Sequence, residues 1–241
     1  MIRDVTLFTY THSNCKDVWP LYAASLNEFF PKLQHIIVTN EPVECIAGAN
    51  FVIYADSEPY WEVICRALDL AKTNHILYMQ EDYLLYDKAD CSSLDRYANV
   101  LSRSDMSFVR LIRSGDVSDI RYLDDLYSIS PSSKDHTTPY VYSLQPSIWK
   151  KSIFESIHRR VKSPVFGEGV AYRDAMKELN VNGLYAYNGE SKRGLNHYDS
   201  KAFPYMATAL VKGKWNFSEY KNELTPVLNE FGIDPNLRGI F

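Results

Sequence analysis

The stretch His75–Leu85, HILYMQEDYLL, constrains this chain more than any other. Ile76, Leu77, Tyr78 and Met79 make an apolar run of strand length that stops at Gln80, Glu81 and Asp82 before Tyr83, Leu84 and Leu85 resume it. A strand this apolar belongs to a core, and two adjacent carboxylates at its end need a reason. In an open α/β sheet the carboxyl ends of the parallel strands form the crevice where ligands bind, so acids there face a ligand or a cation. The competing reading of Glu81 and Asp82 is a solvated turn.

The flanking sequence supplies a sheet for that strand. Val5–Tyr10 is β-branched and aromatic and runs into the polar loop Thr11, His12, Ser13, Asn14. A helix is expected from Val18, with Pro20 in its first turn and Trp19, Tyr22, Leu26 and Phe29 at helical spacing, until Pro31 stops it. Strands follow at His35–Thr39 and Phe51–Ala55. A helix capped by Ser57, with Pro59 in its first turn, then buries Trp61, Ile64, Cys65 and Leu68. This alternation describes a mostly parallel sheet covered by helices, an α/β fold whose first half is Rossmann-like. No phosphate loop accompanies it, since neither G-x-G-x-x-G nor G-x-x-x-x-G-K-[ST] follows the first strand. A nucleotide bound here would therefore need a cation to help hold its phosphates.

Further on, the pattern predicts a helix near Ser93–Leu101 and a strand over Ser107–Ile112, with Arg110 and Arg113 bracketing its end. The irregular segment Ser114–Pro139 contains a possible strand pair at Arg121–Ile129. A strand is expected at Tyr140–Leu144, and a helix starting at Pro146 and Ser147 with Trp149, Ile153 and Ile157 as its apolar stripe. A helix over Glu168–Leu179, a strand at Leu184–Tyr187 and a helix over Ser218–Phe231 complete the reading. No repeat or linker divides the 241 residues, so one domain is expected: 1–105 as a nucleotide-binding half, 106–241 as an acceptor-binding half with its tail.

The composition excludes some classes. A formal charge of −4 gives no basic footprint for nucleic acid. The four cysteines have no CxxC spacing and read as free thiols, which points to a reducing, cytoplasmic setting. No apolar run reaches membrane-spanning length, and no signal segment is visible. The eighteen tyrosines suit a groove for sugars or bases, although most such rings simply pack.

The segments YADSEPYWEVICRALDLAKTNHILYMQEDYLL, YVYSLQPSIWKK, FGEG and KGKWNFSEY, with the Thr-containing loop after the first strand, resemble nucleotide-diphospho-sugar transferases of the GT-A fold. The resemblance implies a D-x-D-type acidic motif at the end of the fourth strand that holds Mn²⁺ or Mg²⁺ against a sugar nucleotide's diphosphate. Here Gln80 stands in place of the first Asp, Asp82 is the expected metal ligand, and Glu81 is an acid that either supports that ligand from behind or contacts the donor sugar. A late histidine often completes such sites, which makes His197 the second metal candidate, against a plain exposed side chain.

The same resemblance implicates Thr9, Tyr10 and Thr11 in base and ribose binding. Asp56 is a further donor-site candidate or a helix cap; Arg66 reaches a phosphate or pairs with Glu62; Lys212 and Lys214, beside Trp215, clamp the diphosphate or form a solvated face. The catalytic base expected for the acceptor hydroxyl is Glu168 in FGEG, with Asp174 as runner-up, and helix-end charge compensation as the alternative for Glu168. Gln145 and Trp149 resemble the family's acceptor or donor-sugar wall, although Trp149 also lies on the apolar stripe, which favours core packing for it. The implied function is glycosyl transfer from a nucleotide donor to a carbohydrate or glycan acceptor in polysaccharide or glycan assembly. The alternatives are a carbohydrate-binding or scaffold protein of the same fold, or a sugar-nucleotide nucleotidyltransferase.

Overall fold

Period-two burial sets the sheet: on β1 (Val5–Tyr10), Val5 and Leu7 enter one apolar cluster and Phe8 the other. The computed structural model describes residues 2–114, 117, 119–131, 141–194 and 196–241. After β1 the chain forms α1 (Trp19–Phe29), β2 (His35–Thr39), β3 (Asn50–Ile53), α2 (Tyr60–Leu68) and β4 (His75–Gln80). It continues through α3 (Cys91–Arg103), β5 (Phe108–Arg110), β6 (Arg121–Leu123), β7 (Leu126–Ile129), β8 (Ser147–Lys150), α4 (Lys151–Val161), α5 (Val170–Glu178) and β9 (Gly183–Ala186). Two short antiparallel pairs follow, β10 (Lys192–Arg193) with β11 (His197–Tyr198) and β12 (Leu210–Val211) with β13 (Lys214–Trp215). The chain closes with α6 (Phe217–Glu230) and α7 (Pro235–Arg238).

Nine strands form one sheet in the order β3-β2-β1-β4-β8-β5-β9-β7-β6. β1 to β4 are mutually parallel, β8 runs antiparallel between β4 and β5, and β5 is parallel to β9. α1, α3 and α6 cover one face, and α2, α4 and α5 the other. The molecule is thus an α/β protein with a mostly parallel central sheet flanked by helices. From β1 the chain steps outward to β2 and β3 and returns to β4 on the other side of β1. The order reverses between β1 and β4, and their carboxyl ends open the crevice such a reversal creates.

The elements differ from sequence expectation in places that matter. Ser147–Lys150 is a strand and not the start of a helix, and α4 begins only at Lys151. Ile148 registers with Leu77 and Val109, and Trp149 with Ile76 and Phe108, so pairing on both sides overrides the local helix-start signal of Pro146. Trp149 is buried and stacks on Phe108 at 4.3 Å, the core ring that its place on the apolar stripe favoured. Tyr140 lies outside the described residues, and 141–144 are not strand. β3 begins one residue earlier than expected and stops at Ile53, and β5 stops at Arg110. Pro59, not Ser57, is the N-cap of α2. The four cysteines are free, and among the described residues no helix is long and apolar enough to cross a membrane.

Candidate functional site

β1 and β4 run in register from Val5↔His75 to Tyr10↔Gln80, so Thr11 and Glu81 emerge side by side at the crevice floor. Glu81 is buried and accepts hydrogen bonds from the Thr11 hydroxyl and the Cys15 thiol. Thr11 Oγ1 in turn accepts the Trp19 indole N–H at 2.8 Å. Burial pushes the Glu81 carboxyl above the ordinary carboxylate range even so. Asp82 is half-buried; its Oδ1 is shut off from solvent and has no hydrogen-bond partner among the described residues. Burial first, then the charge of Glu81, raises its carboxyl as well.

The counter-charge comes from the far end of the chain. Arg238 of α7 lowers both acids through space and is itself fixed by Asp17, by the Asn14 and Gly213 carbonyls at 3.2 Å each, and over the Trp215 ring at 5.9 Å. Sequence reasoning missed Arg238, and a position 221 residues from its partner carries no local signal.

A divalent cation fits this floor in one way. Among the described residues no group of three or more His, Cys, Asp or Glu side chains converges on one point, so a complete protein cage is not built. A buried carboxylate oxygen without a partner, beside a second acid, suits a cation that takes its remaining ligands from phosphate and water, as Mg²⁺ commonly does. Asp82 is the residue that would hold it, with Glu81 already committed to Thr11 and Cys15.

Beside the floor, at the ends of β1 and β3, lies an aromatic cavity of about 350 Å³. Tyr10 is parallel to Tyr54 at 5.8 Å and to Phe166 at 5.1 Å, and Tyr60 meets both Tyr10 and Phe166 edge-on. Its polar rim is His12, Asp56 and Glu58. Asp56 is exposed and hydrogen-bonded to His12 Nε2 at 3.3 Å, and it does not cap α2. Arg66 bonds Glu58 at 2.6 Å and the Ile53 carbonyl at 3.3 Å, so its partner is neither Glu62 nor open space. Of the three first-strand candidates, only Tyr10 lines this cavity. Thr9 is corrected: it is buried under α1, sharing hydrogen bonds with Tyr22 Oη at 2.7 Å and His35 Nε2 at 2.8 Å.

On the other side of β4 the crevice wall carries Glu168, Arg110, Gln145 and Tyr205. Glu168 Oε2 accepts the Leu144 N–H at 2.8 Å, so its carboxylate reaches across to that segment and leaves Gly169 to begin α5. Burial raises the Glu168 carboxyl, against the Leu144 N–H and the charge of Arg110, which both lower it. Arg110 is 2% exposed and donates to the Val141 carbonyl at 2.8 Å and Ser114 Oγ at 3.1 Å. Gln145 joins Tyr205 Oη at 2.7 Å to the Ala207 carbonyl at 3.2 Å. Tyr83 feels the charges of Asp82, Glu168 and Glu81, which makes it the ring between the two acidic centres. The sequence placed Arg110 at the end of its strand, but its place beside Glu168 was not legible.

The remaining candidates are Asp174, His197 and the two late lysines. Asp174 is on α5, paired with its neighbour Arg173 at 3.0 Å and half exposed. His197 sits on β11, bridged to Ser114, where burial and the nearby Arg110 hold its imidazole down at about 4. Lys212, on the β12–β13 turn, and Lys214, on β13, are exposed, and Trp215 is a fully buried core ring faced by Arg238.

No known family's sequence pattern matches the chain, and no curated protein does. Among solved structures, the chain is similar to a CMP:2-keto-3-deoxy-manno-octonic acid synthetase complexed with CTP, at 6% identity over 76% of this chain and 88% of that one, with a TM-score of 0.47. It is similar to residues 1–349 of TarS from S. aureus at 10% identity and a TM-score of 0.48, over 82% of this chain and 60% of that one. A nucleotidyl transferase from Methanothermobacter gives 12% identity and a TM-score of 0.43, over 77% and 88% of the two chains.

Proposed function

We propose that this protein transfers a glycosyl group from a nucleoside-diphosphate sugar to a hydroxyl of a carbohydrate or glycan acceptor, with Mn²⁺ or Mg²⁺ at Asp82. The observation that carries the reading is the partnerless Asp82 Oδ1 at the carboxyl end of β4, where the strand order reverses. The aromatic cavity with Asp56 and Glu58 on its rim suits a base, whose faces stack and whose N–H groups need acceptors. When bound, the cation would neutralise charge on the departing diphosphate. The chain's own contribution is a base and a wall. Glu168, raised by burial, accepts the proton of the incoming hydroxyl as its oxygen bonds to the anomeric carbon and the nucleoside diphosphate leaves with the old bonding pair. Arg110 stabilises Glu168 as the carboxylate that can take this proton, and Tyr205 and Gln145 line the same wall. Polysaccharide assembly and a cytoplasmic site of action belong to this proposal.

The test pairs a thermal-shift panel of nucleotide sugars, with and without Mn²⁺, with turnover of the best ligand. Turnover is expected to fall at least about a hundredfold in EDTA or in Asp82→Ala, and by a similar factor in Glu168→Gln. Full turnover in chelator with Asp82→Ala unaltered would remove the metal, and a normal kcat in Glu168→Gln would remove the base.

A further inference from the structure

Phe166, in the aromatic cavity, and Glu168, on the acceptor wall, are separated only by Gly167. The segment before them is fixed: the first N–H groups of α2 donate to it, Tyr60 to the Pro164 carbonyl at 3.0 Å and Trp61 to the Ser163 carbonyl at 3.2 Å, and Ser163 Oγ holds the Val165 carbonyl at 2.7 Å. The segment after them is fixed by α5. Between these anchors the link is open. Nothing lies within 4 Å of a Cβ built on Gly167 or Gly169, and Gly169 takes φ +118° with ψ −149°, a conformation only glycine adopts cheaply. Phe166 stays 43% exposed although it stacks on Tyr10, and Val165 is 67% exposed.

The stack leaves no room for a third layer. The Tyr10 and Phe166 centroids are 5.1 Å apart with the rings 3° from parallel, whereas a base between two rings needs about 7 Å, twice the ~3.5 Å contact distance. We propose that Phe166 occupies the place on Tyr10 where a nucleobase stacks, that an entering base displaces it, and that the displacement moves Glu168 and breaks its bond to the Leu144 N–H. Phe166 is then a positioning residue that makes the acceptor base answer to donor binding: a backbone shift that carries the ring out of the stack reaches Glu168 within two residues, about 7 Å of chain at most. This rests on the nucleotide reading of the cavity given above. It adds to that reading a coupling between the two halves of the crevice, with Phe166 as the part that carries it.

The test titrates CDP, UDP, GDP and ADP into the wild-type protein, Phe166→Ala and Phe166→Leu by calorimetry, and follows the Leu144 amide by NMR or hydrogen exchange. Freed from a competing ring, both variants should bind the preferred diphosphate about three- to tenfold more tightly. A merely structural ring would not give tighter binding on removal. In the wild type the Leu144 amide should lose protection at saturation, and in the variants it should be indifferent to nucleotide. Wild-type binding with an unmoved Leu144 amide, or variant affinities equal to or weaker than wild type, would overturn the coupling and leave the nucleotide reading standing. Binding of none of the four by any of the proteins would sink both.

Discussion

Asp82 shows at the scale of one residue how a site can cost stability. Its raised carboxyl means that the folded state binds the proton more tightly than the unfolded state. Such a group favours folding at low pH, and that contribution is lost as pH rises through the folded pKa. Once the pH passes that pKa, pushed up to about 8, the ionised, partnerless oxygen is a liability of about 1–3 kcal/mol. Asp82→Asn is therefore expected to raise the Tm at pH 8 more than at pH 5 while abolishing cation-dependent turnover. An unchanged Tm difference across that range would mean that Asp82 is not a buried charge. The acid pair itself was legible in the sequence, because Gln80, Glu81 and Asp82 interrupt an apolar run. The division of labour within it was not, since it depends on Thr11 and Cys15 reaching Glu81 from another strand and its loop.

At the scale of elements, His158 of α4 ties together pieces the sequence left separate. Its ring packs edge-on or tilted against Tyr60 of α2, Tyr142, Phe154 and Tyr172 of α5, and shares a hydrogen bond with Tyr142 Oη at 3.1 Å. Burial holds its imidazole down at about 3, against 6.5 for a free histidine. Between those values the unfolded chain takes a proton that the folded one refuses, so stability present above about pH 6.5 is lost as pH falls towards 3. The loss is up to about 1.4 kcal/mol per pH unit. His158→Gln should flatten the Tm profile between pH 6.5 and 4, while an unaltered slope would place the acid sensitivity elsewhere. α4 also marks where reading by element failed. The periodicity of Ile153 and Ile157 was visible, but Ser147–Lys150 became a strand because β4 and β5 flank it, and neither neighbour is local in sequence. β1, β2, α1 and β4 were legible because each carries its own periodicity and its own stop signal.

For the whole molecule, the parallel half of the sheet could be read from residues 1–85, whereas the crevice wall could not. Glu168, Arg110, Gln145 and Tyr205 come from four separate stretches, and only their meeting defines a site. Arg238 is the extreme case. Arg238→Ala removes the ion pair with Asp17 and two backbone contacts at a side chain 15% exposed, a loss of about 1–2 kcal/mol and a Tm lower by about 2–8 °C. It should also push the acid pair further up, so that Mn²⁺ binding by the variant requires a higher pH than in wild type. Cation binding with an unshifted pH dependence would show that the acids do not feel Arg238.

That same tie between Arg238 and Asp17 has a consequence for biosynthesis. The strands that carry Thr11, Glu81 and Asp82 leave the ribosome well before α7, and at about 5–20 residues per second the interval is on the order of ten seconds. During it, a nascent sheet half would hold two crowded acids with no arginine opposite them. Such an intermediate gains from any cation at hand, so divalent ions in the surroundings would act on the yield of folded protein as well as on its turnover.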